Sequence, residues 1–445
     1  MKAHACSDAR KIHRFDLILY TTVLIVFGVL EFIAPPSALQ PVVSLLLGIL
    51  ILAIFLARKL VTKYAACGLV FLIGALMLVN LILMNLHVTK GWVDSKSPWP
   101  EIDRLLDEQF VGSALIARDG KIYLEKGYSY ADRNRLIPNT PTTQFMIGSM
   151  TKQFTAMGIL ILRDQGKLKL EDSICQYLPE CPQDWRQVNI HHLLTHTSGI
   201  VDPLKVIEKQ EPQGTPLINR FIFRIQGVIK FFYLLQQPAT VSIVVEENKN
   251  TPLEFLPGEK FSYSNLGYML LGYIIENVSG KPYGDFIKEE IFTPLKMDSS
   301  GYGLQAPNLA TGYINTLFKS YYIDISRAHG AGGLYSTVDD LYQWDQALYG
   351  EQLVKKETLD EIFTPRVSIQ GPSSMGPSDM SYAYGWMVGQ ENDHPLIAHG
   401  GSIGGYLSYL IRYPEDKITI ILLSNNQPVD FGTIVDEINK KLGLK

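Results

Sequence analysis

Three long apolar runs fill most of the first 87 residues and constrain the fold of this chain more than any other feature. They span residues 17–34, 38–57 and 64–86. A helix that crosses a bilayer core needs about 20 apolar residues, so the second and third runs are long enough and the first is close to that length. A cleaved signal peptide has one short run and a small-residue cleavage site. We therefore predict that residues 1–87 form a retained membrane anchor of three transmembrane helices.

Positive charges near these runs predict how the anchor is oriented. Lys and Arg residues of short flanking segments favour the cytoplasmic side of a membrane. Here they precede the first run and separate the second from the third: Lys2, Arg10, Lys11, Arg14, Arg58, Lys59 and Lys63. We expect a multi-pass protein of a bacterial cell membrane, with a cytoplasmic N-terminus and everything after His87 outside the cytoplasm. Three buried helices of a soluble domain are the alternative.

Charge and cysteine content limit the partners and the compartment. A net charge of −4 is too small to indicate nucleic acid as a partner. Of the four cysteines, only Cys175 and Cys181 lie in the part predicted to be outside the cytoplasm. A small disulfide loop there is one interpretation, and two reduced thiols are the other. Two cysteines are too few ligands to predict a zinc site.

The part of the chain after the anchor has the pattern of an α+β domain. We predict a linker at residues 88–105, rich in Gly, Ser and Pro, and a globular domain at 106–445. Apolar residues on both sides of Asp119-Gly120 predict a hairpin over Gly112–Gly127. Strands are predicted at Leu407–Tyr413 and Ile418–Leu423, and helices at Ser149–Gly166, Tyr268–Val278, Thr337–Leu348 and Val429–Leu442. Strands at both ends of the domain predict a sheet that is closed by bringing the termini together.

Ser149 and Lys152 stand three residues apart where the first of these helices is predicted to begin. At that spacing both side chains share one face of the helix, at the end that favours negative charge. A serine hydroxyl attacks a carbonyl only when a neighbouring base accepts its proton, and Lys152 is a candidate for that base. A capping serine followed by an exposed lysine is the alternative.

Tyr263 and Asn265 lie on a loop before the next predicted helix, after the turn at Pro257-Gly258. A tyrosine beside a lysine ammonium can be held partly as phenolate, which makes it a base or a proton relay. Asn265 offers a donor and an acceptor for a substrate amide. An aromatic anchor and a turn asparagine are the alternative interpretation.

A third segment, His399, Gly400, Gly401 and Ser402, comes just before an apolar strand. Glycines there allow a ligand to approach the backbone closely. A strand-edge N–H group can then point at an oxyanion. The alternative is a glycine-rich turn with an incidental histidine.

Ser149-x-x-Lys152, Tyr263-x-Asn265 and His399-Gly400-Gly401 resemble, in order and character, the three motifs of the serine β-lactamase and penicillin-binding protein superfamily. The resemblance is greatest to its class C β-lactamase-like branch, which also contains D,D-peptidases, D-aminopeptidases and esterases. Residues 190–199 and 330–340 are similar to two further family landmarks. The resemblance covers about residues 101–440 and implies an antiparallel sheet of the β-lactamase/transpeptidase type, with flanking helices and a helical subdomain.

The resemblance also implies roles for individual residues. Ser149 would be the acylated nucleophile, and Lys152 and Tyr263 would share its proton and later activate water. Asn265 would bind the substrate amide or position Lys152. The backbone N–H groups of Ser149 and Ser402 would form the oxyanion hole, and no metal or organic cofactor is implied.

Two features of these segments change what the resemblance implies. The β-lactamases commonly carry Lys-Thr-Gly or Lys-Ser-Gly at the third motif, which recognises a substrate carboxylate. Histidine is only partly charged near neutral pH, and Gly400 brings no hydroxyl, so we expect no efficient hydrolysis of anionic β-lactams. His192 and His196 stand four apart like zinc ligands, but the glutamate of a zinc-protease motif is missing, so we interpret them as structural.

Together these patterns predict a membrane-anchored serine hydrolase that cleaves an ester or amide bond, with a D-amino-acid peptide of cell-wall origin as one candidate. A carboxylesterase for small or lipid esters is the alternative within enzymes. A non-catalytic sensor or scaffold resembling penicillin-binding proteins is the alternative of another class. The expected partners are a small-molecule ester or peptide and the lipid bilayer.

Residues 220–235 have an apolar face and indicate either a membrane-surface helix or a helix packed on the domain.

Overall fold

The computed structural model describes residues 99–202, 233–314, 318–369 and 380–444. The α-helices there are α1 Pro100–Gln109, α2 Thr151–Asp164, α3 Ile190–Leu194, α4 Val241–Asn248, α5 Asn265–Ser279, α6 Tyr283–Ile287, α7 His329–Gly332, α8 Val338–Ala347, α9 Lys356–Phe363 and α10 Phe431–Leu442. The strands are β1 Gly112–Arg118, β2 Lys121–Tyr128, β3 Tyr130–Asp132, β4 Ile137–Pro138, β5 Phe145–Met146, β6 Gly301–Tyr302, β7 Tyr313–Ile314, β8 Phe318–Lys319, β9 Leu334–Ser336, β10 Val367–Ser368, β11 Ser381–Tyr382, β12 Met387–Glu391, β13 His394–Ile403, β14 Tyr406–Tyr413, β15 Ile418–Ser424 and β16 Asn426–Gln427.

Eight of these strands form one antiparallel sheet in the order β10-β11-β12-β13-β14-β15-β1-β2. Strand β1 pairs with β15, with Ser113 opposite Leu423, so the two ends of the domain meet in the sheet as predicted. The predicted hairpin forms because Asp119 and Gly120 take φ values of 52° and 73°. A two-residue hairpin turn of type I′ needs positive φ at both positions.

The central strands of this sheet are buried on both faces. In β15, Ile420 and Leu422 pack on one side, with apolar residues of α1 and α10. Ile421 and Leu423 pack on the other side, in the core that also contains residues of α2, α5 and α8. Side chains alternate along a strand, so a strand covered on both faces is apolar throughout.

Helix α2 is enclosed by this second core. Its residues from Thr151 to Leu162 are all buried. At Gly158 the helix lies so close to its neighbours that an added Cβ would be 3.1 Å from the Ile275 side chain of α5. The first turn of α2 therefore has little freedom to move.

The boundary predicted between linker and domain falls inside a helix. Residues 100–105 belong to α1, which starts at Pro100, a residue well suited to the first helical position. Ile102 and Leu106 of this helix are buried in the core beside α10. The domain therefore begins before residue 106, because the apolar face of α1 covers one side of the sheet.

Within the described ranges, no helix is long and apolar enough to cross a membrane. The three apolar runs of residues 17–86 lie outside those ranges, as does most of the segment 220–235. The anchor stays a prediction, and both interpretations of residues 220–235, a membrane-surface helix and a helix packed on the domain, stay open. Of the two alternatives for the cysteine pair, the structure has the disulfide, between Cys175 and Cys181.

Candidate active site

Ser149 lies in a short 3₁₀ turn, Gly148–Met150, that leads directly into α2. Gly148 has a φ of 50°, which glycine adopts without a steric cost. A Cβ at Gly148 would lie 2.8 Å from Ser402 N, and one at Gly401 would lie 2.0 Å from Ile147 O. The two glycines therefore allow the serine turn to lie directly against strand β13.

Lys152 is fully buried one helical turn beyond Ser149. Its Nζ donates to Ser149 Oγ at 3.1 Å, to Asn265 Oδ1 at 2.9 Å and to Ala331 O at 2.8 Å. These three acceptors satisfy all the hydrogens of an ammonium group. In the neutral amine, the same asparagine and carbonyl oxygens hold the two remaining hydrogens and leave the nitrogen lone pair facing Ser149. The arrangement therefore fits both protonation states of the lysine.

The electrostatic surroundings of Lys152 favour a substantial neutral fraction at physiological pH. Burial disfavours the ammonium form and lowers the pKa of Lys152 to about 7, while the negative charge of Asp202 acts in the opposite direction. A general base is most useful when its pKa is close to the working pH. Lys152 meets this condition and already contacts the proton that it would accept.

Tyr263 packs against the same lysine with its ring. Lys152 Nζ lies 4.9 Å from the centre of the ring, and the Tyr263 hydroxyl is buried. Burial raises the pKa of Tyr263, and the interaction with the Ser149 hydroxyl offsets this only in part. The structure therefore favours a protonated phenol over the partial phenolate expected from the sequence. The physical reason is that the lysine faces the aromatic ring, within a buried environment that disfavours a phenolate.

Residues 190–199 hold the loop that carries Tyr263. His196 Nδ1 accepts the Ser264 N–H at 3.1 Å, and its ring centre lies 4.2 Å from that of Tyr263. The His196 carbonyl also accepts the Ser262 N–H at 2.8 Å. His196 Nδ1 therefore accepts a hydrogen bond from the loop that carries the second motif, Tyr263-x-Asn265, and helps to hold that loop in place. Within the residues that the structure describes, no group of three or more His, Cys, Asp or Glu side chains could hold a metal ion.

Two groups at the site were missed by the sequence reasoning. Asp202 Oδ2 accepts the backbone N–H of Asn265 at 2.7 Å. The Ala331 carbonyl reaches Lys152 because α7 packs closely on α5, where a Cβ at Gly330 would lie 2.7 Å from Tyr268 O. Ala331 belongs to the landmark at 330–340, and Asp202 follows the one at 190–199. These two landmarks were the sequence features that pointed to this part of the site, although they did not show which atom would face the lysine.

Strand β13 offers a free backbone edge beside Ser149. Strand β12 pairs with it only as far as Ala398, whereas β14 pairs with it up to Ile403. Among the described residues, no strand covers the edge beyond Ala398 on the β12 side. A Cβ at Gly401 would lie 2.9 Å from Ser149 N, and Ser402 N borders the same contact. Ser149 N and Ser402 N therefore both lie at this contact, and two neighbouring backbone N–H groups are what an oxyanion hole needs.

His399 starts this edge, but its ring points into the protein. The ring is buried, with Nδ1 2.6 Å from Gly400 O and Nε2 3.1 Å from the Tyr382 hydroxyl. A carbonyl oxygen can only accept, so Nδ1 carries the proton and Tyr382 donates to Nε2. Burial and then the nearby Lys152 charge lower the pKa of His399 to about 3, against the opposing effect of the Gly400 carbonyl.

This placement corrects the expectation that His399 is partly charged near neutral pH. The ring is neutral because it is shielded from water, and it contributes no cation to the strand edge. Gly400 has no side chain, and Ser402, which is exposed, accepts a hydrogen bond from Gln427 Nε2 at 3.2 Å. The third motif therefore presents backbone groups and one hydroxyl.

Known proteins are similar to this chain in sequence and fold. Residues 102–444 match the model of the family described as Beta-lactamase. The protein PbpX of Bacillus subtilis (strain 168) is 31% identical over 343 residues, covering 75% of this chain and 74% of that protein. The solved structure of the octameric penicillin-binding protein homologue from Pyrococcus abyssi is 29% identical, with a TM-score of 0.60, and covers 74% of this chain and 73% of that chain.

The fold is also that of the D-amino acid amidase from Ochrobactrum anthropi SV3, which is 24% identical at a TM-score of 0.60 over 74% of this chain and 92% of that chain. The class C subdivision expected from the motifs stays a prediction. The family match over residues 102–444 and the identity to PbpX show that the chain belongs to the β-lactamase family, a family of serine hydrolases that includes penicillin-binding proteins.

Proposed function

We propose that the protein cleaves an ester or amide bond through an acyl-enzyme on Ser149, and that its catalytic domain is tethered to the outer side of a bacterial cell membrane. The observation that carries the chemistry is the 3.1 Å contact of Lys152 Nζ with Ser149 Oγ. Asn265 and Ala331 hold the same amine, so its lone pair can point at the serine proton. The tether rests on the three apolar runs and their flanking charges.

In acylation, Lys152 accepts the hydroxyl proton as Ser149 Oγ forms a bond to the substrate carbonyl carbon. The carbonyl oxygen becomes an oxyanion beside the N–H groups of Ser149 and Ser402. As the intermediate collapses, the bond to the leaving oxygen or nitrogen breaks, and that atom takes the proton from Lys152 while the Tyr263 phenol stays protonated. Water then attacks the acyl carbonyl carbon and gives a proton to Lys152. The bond to Ser149 Oγ breaks, Oγ takes that proton back, and the acid and free Ser149 are released.

The strand edge indicates the charge of the substrate. A neutral His399 and a glycine at position 400 supply no partner for a carboxylate at this edge. We infer that the substrate group next to β13 is uncharged, which favours neutral esters or amides over peptides ending in a free carboxylate. Turnover of p-nitrophenyl butyrate with none of a D-Ala-D-Ala peptide supports the esterase alternative, and the reverse supports the peptidase.

Covalent labelling tests the acyl-enzyme and the location together. Cells that produce the full chain are fractionated, and each fraction is treated with a fluorophosphonate probe and with labelled penicillin. We expect an adduct on Ser149 in the membrane fraction, mapped by mass spectrometry and absent in Ser149→Ala. Ser402→Ala is the matched control, because it removes another hydroxyl of the site and keeps the backbone N–H.

Each other outcome has a definite meaning. No labelling by either reagent contradicts the acyl-enzyme. Labelling of Ser149 without turnover of any ester or amide supports the sensor or scaffold alternative. Labelled protein found only in the soluble fraction contradicts the membrane tether and leaves the chemistry intact.

A further inference from the structure

Asp202 is a buried carboxylate for which the proposed reaction has no step. The residue is 5% exposed, and its Oδ2 accepts the Asn265 N–H at 2.7 Å. A buried carboxylate is costly unless it is hydrogen-bonded or paired with a charge. It follows directly after residues 190–199, the segment that supports Tyr263.

A short chain of contacts links Asp202 to the reacting serine. Asn265 is the first residue of α5, and its N–H is one of the backbone donors that a helix start leaves without a partner in the helix. Asp202 accepts that donor, which fixes the backbone from which Asn265 Oδ1 reaches Lys152 Nζ at 2.9 Å. Lys152 in turn contacts Ser149 Oγ. The orientation of the amine therefore depends on the Asp202 carboxylate.

Asp202 also differs in charge from the other titratable groups that face Lys152. Among the residues that the structure describes, these are Tyr263 from the loop before α5, Tyr268 from α5 and His399 from β13. Burial raises the pKa of both tyrosines, and His399 has a pKa of about 3, so all three are neutral at physiological pH. Asp202 is the group whose negative charge opposes the effect of burial on the lysine.

We propose that Asp202 is a positioning residue for the reaction: it holds Asn265 against Lys152 and supplies the negative charge that keeps this lysine a strong enough base for Ser149. The inference rests on the proposed role of Lys152 as the base. Burial alone would make the amine easier to deprotonate and correspondingly weaker as a proton acceptor. A weaker base removes the serine proton less effectively in the transition state. The negative charge of Asp202 offsets part of the effect of burial, so that Lys152 can be neutral at physiological pH and is still a strong enough base.

Asp202→Asn separates the two contributions, because the asparagine side-chain oxygen still accepts the Asn265 N–H while the charge is gone. Loss of the negative charge lowers the pKa of Lys152, so the amine stays neutral at lower pH. We expect the acid limb of the pH profile of kcat/KM for p-nitrophenyl butyrate to move about one pH unit towards acid. The plateau should fall by less than about tenfold, through kcat and with KM unchanged.

Three further variants complete the test. Asp202→Glu keeps the charge, so we expect a lower rate with the acid limb of the wild type. Asp202→Ser removes the charge with a smaller side chain and should move the limb as asparagine does, which covers the case in which the asparagine variant does not fold. Asp360→Asn is the matched control, because Asp360 pairs with Lys356 on the surface of α9. It should behave as the wild type.

A loss of rate in Asp202→Asn or Asp202→Ser with an unmoved acid limb would overturn the proposal and leave Asp202 a purely structural residue. An acid limb that moves equally in Asp202→Glu would also overturn it, since the charge is present there. Failure of the proposed function is distinguishable from these results. In that case the wild-type protein itself shows no turnover and no labelling of Ser149.

Discussion

The place beside Ser149 where the substrate would bind, here called the substrate gap, has two different sides. On one side, a lysine and a carboxylate are buried among closely fitted hydrogen bonds. The other side is a strand edge without a charged side chain. Lys152 has three acceptors, and Asp202 holds the backbone of Asn265. Across the gap, residues 399–402 offer backbone groups, a hydroxyl and a neutral histidine that is turned inward. In the proposed reaction, charge is concentrated where the bond is broken and is missing where the substrate is aligned.

This difference separates reaction from recognition. A buried lysine adds little to stability, because removing an ammonium group from water costs several kcal/mol. Its presence is therefore better explained by the chemistry that a neutral amine beside a serine can perform. The strand edge buries no charged side chain, so it carries no such desolvation cost. It can accept any substrate that fits against the backbone and has no unpaired carboxylate. The proposed function thus combines a specific way of breaking a bond with weak selection by charge.

The largest expected effect comes from the charged side of the gap. Lys152→Met removes the base and keeps an unbranched side chain of similar length. We expect kcat/KM for p-nitrophenyl butyrate to fall by about 10²- to 10⁴-fold, the usual contribution of a general base. Near-UV circular dichroism should show an intact fold, because methionine fills the volume. A rate close to that of the wild type would place the base elsewhere and remove the contrast between the two sides.

A smaller but still large effect is expected where the two sides touch. Gly401→Ala would place a Cβ 2.0 Å from Ile147 O and 2.9 Å from Ser149 N. The serine turn must then move away from β13, which separates the two N–H groups of the oxyanion hole. We expect a loss of about 10²- to 10³-fold in kcat, as for the removal of one such donor.

The matched control for this change is Gly350→Ala. A Cβ at Gly350 meets no atom within 4 Å, so this variant should keep the wild-type rate. Thermal unfolding should show a lower midpoint for Gly401→Ala alone. A Gly401→Ala enzyme with full activity would mean that the contact between the turn and the strand does not shape the oxyanion hole.

The same two sides show which features follow from sequence. Local patterns predict the hairpin at Asp119-Gly120 and the strands β14 and β15, because turn chemistry and apolar runs act over a few residues. The contact between Ser149 and Lys152 is also local, since a spacing of three residues on α2 brings the two side chains together. The structure also confirms the expected α+β class and the antiparallel sheet.

Groups that arrive from distant parts of the chain could not be predicted atom by atom. Asp202 and Ala331 are 50 and 179 positions from Lys152, and no local pattern shows that either faces the lysine. The charge of His399 depends on its burial, and the partner of its Nε2, Tyr382, lies 17 positions away on another strand. The Gly, Ser and Pro content of residues 88–105 predicts a linker that includes the first six residues of α1, because the apolar face of this helix becomes evident only against the sheet.

The smallest expected effect tests whether the strand side is truly uncharged. His399 has a pKa of about 3, so it is neutral across the range in which Lys152 loses its proton. In His399→Gln the side-chain amide can still donate to Gly400 O and accept from Tyr382. We expect less than a tenfold loss of kcat/KM, with an acid limb near pH 7 that does not move. A limb that moved in this variant would mean that His399 titrates during turnover, so that both sides of the gap carry charge and a substrate carboxylate could pair with β13.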